Sequence, residues 1–293
     1  MKPAPFEYYA TKTVDETLAR LGEFGYDAKV LAGGQSLIPM MNFRLAQPVI
    51  IVDINKVSEL SYIRPNEHGG VSIGALARHT QVEHHPLVAE YAPLIYETMP
   101  HIATVQVRNR GTFGGSLAHA DPSAELAAVS VALEGRILLR SLRGARWVPA
   151  EEFFIGLFTS VLEPDELLIE AQFPPLPDRT GCAVLELARR SHDFALIGVA
   201  VVLTLDQDER CQQVRMVFLS AGEGPVIAQQ AAALLKNQLL SQEVMRAAAE
   251  TAAQIDIDPS SDIHASAEYR RHLAGILAFR ALEKAYDRAR AHL

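Results

Sequence analysis

Apolar residues recur at Val14, Leu18 and Leu21, which places them on one face of a helix. Thr13 and Glu16 stand where a capping box needs them, Thr13 as N-cap and Glu16 three residues later, and Gly22 and Gly25 end the segment. Residues 28–32 read as a short strand. Val49-Ile50-Ile51-Val52 is a continuous apolar run closing on Asp53, the pattern of a strand buried on both faces. Strand, helix and strand in that order predict a small parallel subdomain of the βαβ type.

The pattern then changes. Residues 61–64 and 71–73 read as short strands around a turn holding Pro65, Asn66, Gly69 and Gly70. Thr80 with Glu83 suggests a second capping box, followed by a helical region through Leu87, Tyr91, Leu94 and Ile95. Residues 123–133 form another helix, with Leu126, Val129 and Leu133 on one face. Residues 136–141 and 145–148 make a hairpin over Arg143-Gly144, and 167–173 a further strand. Pro174, Pro175 and Pro177 cannot donate to a ladder, and they mark a boundary. Beyond it come strands at 184–187, 196–205 and 214–219, then helices at 226–235, 241–255 and from Ser266 onward. The expectation is an α+β protein in two domains, 1–176 (subdomains about 1–57 and 58–176) and 177–293, the second built of three strands and three helices.

Composition narrows the function. The chain has 293 residues, of which 49% are hydrophobic, enough for more than one core. Its formal charge is −8, from 27 basic and 35 acidic residues, and no long basic run occurs, which argues against nucleic acid as a partner. Cys182 and Cys211 stand alone, without the spacing of a zinc or iron–sulfur site, and read as buried free thiols before they read as a disulfide pair. The first residues lack an apolar leader, and no run is long enough to cross a membrane; a cytoplasmic protein is expected.

Two glycine-containing loops carry the candidate chemistry. Ala32-Gly33-Gly34-Gln35-Ser36 follows the apolar Val30-Leu31. Arg110-Gly111-Thr112-Phe113-Gly114-Gly115-Ser116 precedes Leu117-Ala118-His119-Ala120-Asp121-Pro122. Glycine reaches positive φ cheaply and lets a backbone N–H approach an anion, and the nearby Ser36, Thr112 and Ser116 add hydroxyl donors. Together the loops suit a diphosphate held from two sides; singly, each is also ordinary turn chemistry. Neither the GxGxxG fingerprint of a dinucleotide fold nor the Gly-Lys-Ser/Thr of a P-loop is present. His119 and Asp121 read as structural or cofactor contacts before they read as an acid–base pair. Arg108 and Arg110 suit either an anion or neighbouring acids; Arg189 and Arg190, before His192-Asp193, suit solvent or an interface. His84 and His85 read as surface. No catalytic residue and no metal ligand is assigned.

The stretches Ala32-Gly33-Gly34-Gln35-Ser36-Leu37-Ile38-Pro39 and Val107-Arg108-Asn109-Arg110-Gly111-Thr112-Phe113-Gly114-Gly115 resemble the two FAD-binding motifs of the flavoprotein (medium) subunit of molybdenum hydroxylases. That family is typified by aerobic carbon monoxide dehydrogenase and related to xanthine dehydrogenase. Phe43-Arg44-Leu45-Ala46-Gln47-Pro48 with Asp53-Ile54-Asn55, Phe153-Phe154 with Leu162-Glu163-Pro164-Asp165-Glu166-Leu167-Leu168, and Asp193-Phe194-Ala195 agree in order. The resemblance implies a PCMH-type FAD-binding domain of two subdomains and a small C-terminal α+β domain.

It implies that Val30, Leu31, Ala32, Gly33, Gly34, Gln35, Ser36 and Leu37, with Gly111, Thr112, Phe113, Gly114, Gly115 and Ser116, cradle the diphosphate. His119, Ala120, Asp121 and Glu125 would line the ribityl and adenine side, Ile102 would pack near the adenine, and Leu168 would lie beside the isoalloxazine ring. Gln35 replaces a frequent His, and Phe113 the usual Ile. The resemblance further implies an electron relay: a small subunit with two [2Fe-2S] clusters, a large subunit with the molybdenum cofactor, and a dimer of heterotrimers. Two competing classes are a self-contained FAD oxidoreductase of the same superfold and a non-catalytic nucleotide-binding or assembly module.

Overall fold

The computed structural model describes residues 2–291. Strands β1 (Glu7–Ala10), β2 (Ala28–Leu31) and β3 (Ile50–Asp53) form a parallel sheet in the order β1-β3-β2. The apolar run predicted to be buried is its central strand, with Ile51 and Val52 out of contact with solvent. β1 has no strong sequence signal, because Glu7 and Tyr8 on this edge strand are exposed. Helix α1 (Val14–Phe24) lays Val14, Leu18 and Leu21 onto this sheet. Thr13 caps it by accepting from the Glu16 amide, but the Glu16 carboxylate reaches the amide of Lys12 instead of that of Thr13. The helix continues through Gly22 and stops at Gly25, whose φ of 51° leaves the helical region.

Helix α2 (Leu37–Asn42) follows the first glycine loop. Strands β4 (Ile63–Pro65) and β5 (Val71–Gly74) then begin a second, antiparallel sheet. The helical region after it differs from the sequence expectation. Pro86 and Pro93 open new helices, giving α3 (His79–His84), α4 (Pro86–Tyr91) and α5 (Pro93–Thr98). The cap of α3 is Arg78, whose amide is taken by Gln81 Oε1 at 2.8 Å, not Thr80 with Glu83. An isolated bridge between Arg78 and Thr112 holds Arg78 extended, so the helix starts two residues earlier than the Thr80 signal suggests.

Helix α6 (Val105–Arg108) leads into the second loop, and α7 (Phe113–His119) leaves it. Helix α8 (Glu125–Ala132) is buried along its whole length and packs on α5 and the C-terminal sheet. Strands β6 (Arg136–Ser141) and β7 (Gly144–Pro149) form the expected hairpin. Helix α9 (Ala150–Phe153) and the small hairpin β8 (Phe154–Gly156) with β9 (Thr159–Ser160) follow, and β10 (Leu167–Phe173) completes the sheet in the order β4-β5-β10-β6-β7.

After the prolines, β11 (Thr180–Ala188), β12 (Ala195–Leu205), β13 (Cys211–Leu219) and β14 (Val226–Ile227) form an antiparallel sheet in sequence order. β14 occupies the start of a segment expected to be helical; α10 begins only at Gln229 and runs to Leu235. Helix α11 (Gln242–Thr251) ends in a π-helical turn over Ala252–Asp256, and α12 (Ala267–Ala291) closes the layer. α12 lies against β11 so closely that a β-carbon on Gly181 would sit 1.9 Å from the Ala285 carbonyl oxygen. The mixed α+β architecture agrees with the sequence reading.

Candidate functional site

The first glycine loop leaves β2 at the edge of the parallel sheet and turns into α2. Within it four of the carbonyls are tied. The Ala32 oxygen accepts from Asn55 Nδ2 at 2.7 Å, that of Gly33 from Gln35 Nε2 at 3.1 Å, that of Gly34 from the Ile38 amide at 3.1 Å, and that of Ser36 from the Met40 amide at 3.2 Å. A trans peptide points its N–H opposite to its C=O. Tying these four oxygens therefore turns the amides of Gly33, Gly34, Gln35 and Leu37 the other way. Among the described residues no acceptor takes those amides, nor that of Ser36. Gly34 holds φ at 74°, a conformation that side chains with a Cβ resist.

The second loop is built differently. All but one of its amides are committed to the protein: Gly111 to Val107 O, Phe113 to Ala77 O, Gly114 to Ala75 O, Gly115 to Thr112 Oγ1 and Ser116 to Thr112 O, while that of Thr112 has no acceptor among the described residues. Its glycines serve packing. A Cβ on Gly114 would lie 2.6 Å from that of Ala75, and one on Gly111 would lie 2.9 Å from His79 Nδ1. The expectation that glycine N–H groups stay free thus applies to the first loop alone; the second is a wall whose one free amide is that of Thr112. The two walls touch, because a Cβ on Gly33 would stand 2.5 Å from the Arg110 carbonyl oxygen and 2.9 Å from the Gly111 Cα.

Around this junction His119 ends α7, its ring 5.2 Å from that of Phe158, and burial lowers its pKa. Ala120 caps α7 in the left-handed region. Asp121 accepts from the Ser123 amide at 2.9 Å and starts the turn into α8. Glu125, in the first turn of α8, is pushed up to about 7, first by burial and then by the charge of Glu186. Glu186 lies 3.5 Å from His101, and that pairing raises the His101 pKa. Ile102, Phe113 and Leu168 belong to one core cluster; Phe113 is fully buried, edge-on to Phe173 at 5.9 Å. Replacing an Ile by Phe113 therefore alters core packing and gives the site no new face.

The arginines separate once geometry is known. Arg108 is buried, forks onto Glu83 at 2.8 and 3.1 Å, and caps the carbonyls of Ile102 and Ala103. Arg110 forms no ion pair among the described residues. Arg189 pairs with Asp193 at 4.0 Å near the surface. His79 has no sequence signal, yet both ring nitrogens are buried without a partner against Gly111, and burial lowers its pKa to about 4.

Comparison with known proteins supplies the family. Residues 4–176 match the FAD binding domain in molybdopterin dehydrogenase, and residues 183–285 match the CO dehydrogenase flavoprotein C-terminal domain. The chain belongs to the flavoprotein subunits of molybdenum hydroxylases. As a member it is an oxidoreductase subunit that binds FAD. It is 40% identical over 99% of its length, and 97% of the relative's, to the 6-hydroxypseudooxynicotine dehydrogenase complex subunit alpha of Paenarthrobacter nicotinovorans. It is 38% identical to the carbon monoxide dehydrogenase medium chain of Hydrogenophaga pseudoflava, covering 98% of this flavoprotein and 99% of that chain. Among solved structures it superposes on carbon monoxide dehydrogenase from Hydrogenophaga pseudoflava with a TM-score of 0.94 at 38% identity, over 98% and 99% of the two chains. On quinoline 2-oxidoreductase from Pseudomonas putida 86 the TM-score is 0.93 at 35% identity, over 99% of each. The unpartnered amides of the first loop fit the cofactor of this family, since a diphosphate offers them acceptors.

Proposed function

We propose that this flavoprotein relays electrons from the [2Fe-2S] clusters of a small partner subunit, through the FAD it binds, to an external acceptor. A large partner subunit carrying the molybdenum cofactor would hydroxylate the substrate, within a dimer of heterotrimers. The single observation that carries the reading is the amide-lined first loop in a chain matched to this family along nearly all of its length. FAD supplies the redox chemistry, exchanging electrons one or two at a time, and the protein supplies binding and orientation. In this reading Gly33, Gly34, Gln35, Ser36 and Leu37 hold the diphosphate through their amides. The wall from Gly111 to Ser116 closes the opposite side, and His119, Asp121 and Glu125 border the sugar chain. The proline-bearing segment 174–177 separates the flavin-binding domain, 1–176, from the C-terminal domain, 177–293.

Exposed large apolar side chains support assembly with partners. Phe43, Leu45 and Val49 follow α2, and Ile155, Leu157 and Phe158 sit on the β8–β9 hairpin. Among the described residues no helix is long and apolar enough to cross a membrane. The test is a visible spectrum of the purified full chain, with the extracted cofactor weighed, repeated on the complex with its partner subunits. Flavin on the chain alone, reduced by organic substrate only when the partners are present, supports the relay. Bleaching by substrate in the isolated chain would instead favour a self-contained oxidoreductase.

A further inference from the structure

Two side chains outside the glycine motifs join the backbones of the two loops. Asn55, two residues past the end of β3, donates Nδ2 to the Ala32 carbonyl at 2.7 Å and to Asp53 Oδ1 at 2.6 Å. Its own Oδ1 accepts from Arg78 Nη2 at 2.7 Å. The other arm of Arg78, Nη1, donates to the Arg110 carbonyl. Arg78 is itself fixed, since it caps α3, donates its amide to Gln81 Oε1 and bridges to Thr112. A continuous hydrogen-bonded chain thus runs from the first loop through Asn55 and Arg78 to the second.

This arrangement does two things at the cradle. Drawing the Ala32 oxygen onto Asn55 points the Gly33 amide away from that side chain, so the orientation of the first free N–H depends on it. Drawing the Arg110 oxygen onto Arg78 occupies the carbonyl that abuts Gly33, whose uncompensated dipole would otherwise repel an anion in the junction. Arg78 has no carboxylate partner among the described residues, so its charge is not cancelled by an ion pair. A guanidinium that binds one amide oxygen and one carbonyl at once is pre-organised for this bridging, which a flexible ammonium is not.

We propose that Asn55 and Arg78 are positioning residues for the FAD diphosphate: they lock the two loops in one register and keep the first loop's amides turned outward. The proposal rests on the reading that these loops take the diphosphate. The experiment uses the full chain stripped of flavin, with FAD affinity measured by quenching of flavin fluorescence and ADP used as a competitor carrying only the diphosphate and adenosine. In Asn55→Ala and Arg78→Gln, FAD affinity falls on the order of tenfold and ADP affinity falls by the same factor. The melting temperature of the flavin-free chain stays within about 2 °C. Arg78→Lys recovers part of the loss by restoring the charge and one donor.

Unchanged FAD affinity in both variants overturns the proposal. So does a lower melting temperature with ADP affinity unchanged, since that marks a purely structural role. Gly34→Val separates the two levels. If it loses FAD while Asn55→Ala and Arg78→Gln keep it, the positioning role fails and the loop assignment stands. If it keeps FAD, the loop assignment fails and takes the proposal with it.

Discussion

Gly33 and Arg110 meet backbone to backbone: a β-carbon on Gly33 would lie 2.5 Å from the Arg110 carbonyl oxygen, closer than real contacts allow. Residues remote in sequence are thereby joined by the absence of a methyl group. Gly33→Ala must push the loops apart. Its FAD affinity is expected to fall by about tenfold or more, as read by titration of the flavin-free chain. Wild-type affinity would mean the junction gives way without consequence for the site.

Gly34 and Gly114 look equivalent in the sequence, but they fail differently. Gly34 is held at φ 74°, and a Cβ would press on Ile38 and Leu31. Gly34→Val is expected to lose flavin while costing about 1–2 kcal/mol of stability. A Cβ at Gly114 would strike the backbone of Ala75, 2.7 Å away at Cα, with no phosphate involved. Gly114→Val therefore lowers the melting temperature first, and flavin is lost with the fold. Calorimetry on the flavin-free variants distinguishes the two, and equal melting temperatures would contradict this assignment.

Arg108 belongs to the scaffold. It is 5% exposed and shares two hydrogen bonds with Glu83 and two more with backbone carbonyls. Glu83→Ala leaves a buried cation without its counter-charge and is expected to cost about 3–5 kcal/mol. Urea unfolding of the full chain provides the measurement. A loss below about 1 kcal/mol would place this pair among ordinary surface bridges.

Glu125 makes stability depend on pH. Its folded pKa is raised from 4.5 to about 7, chiefly by burial. Below about pH 4.5 both folded and unfolded states hold the proton. Between there and pH 7 the unfolded chain releases it while the folded chain keeps it, so this contribution is lost as pH rises, up to about 3 kcal/mol. Glu125→Gln should remove that slope, leaving the flavin-free variant more stable than wild type above pH 7. Parallel melting curves for the two proteins between pH 5 and 8 would refute the shift.

Cys182 and Cys211 are both buried, and burial pushes their thiols up to about 11 and about 12. At neutral pH neither offers a thiolate, which is the reactive form. A chromogenic disulfide reagent is expected to find no reactive thiol in the folded chain and both after denaturation. Rapid labelling of the native protein would show that one of these strands opens.

Sequence alone determined the elements whose burial is written in one-dimensional patterns. The run Ile50–Asp53, the α1 stripe with its Thr13 cap, the β6–β7 hairpin and the long strands of the C-terminal sheet were all legible, because period and turn chemistry are local. The two glycine loops were legible as well, through their composition and their likeness to a family. What each loop does was decided by tertiary structure. Only folding shows that four of the first loop's carbonyls are tied and its amides free, while every amide of the second loop except that of Thr112 is spent on Ala75, Ala77, Val107 and Thr112. The Thr80 and Glu83 signal misplaced the start of α3 because Thr112, far along the chain, holds Arg78 extended. Arg78, His79 and Asn55 carry no local mark of their roles, since a hydrogen bond to a distant carbonyl has no sequence period.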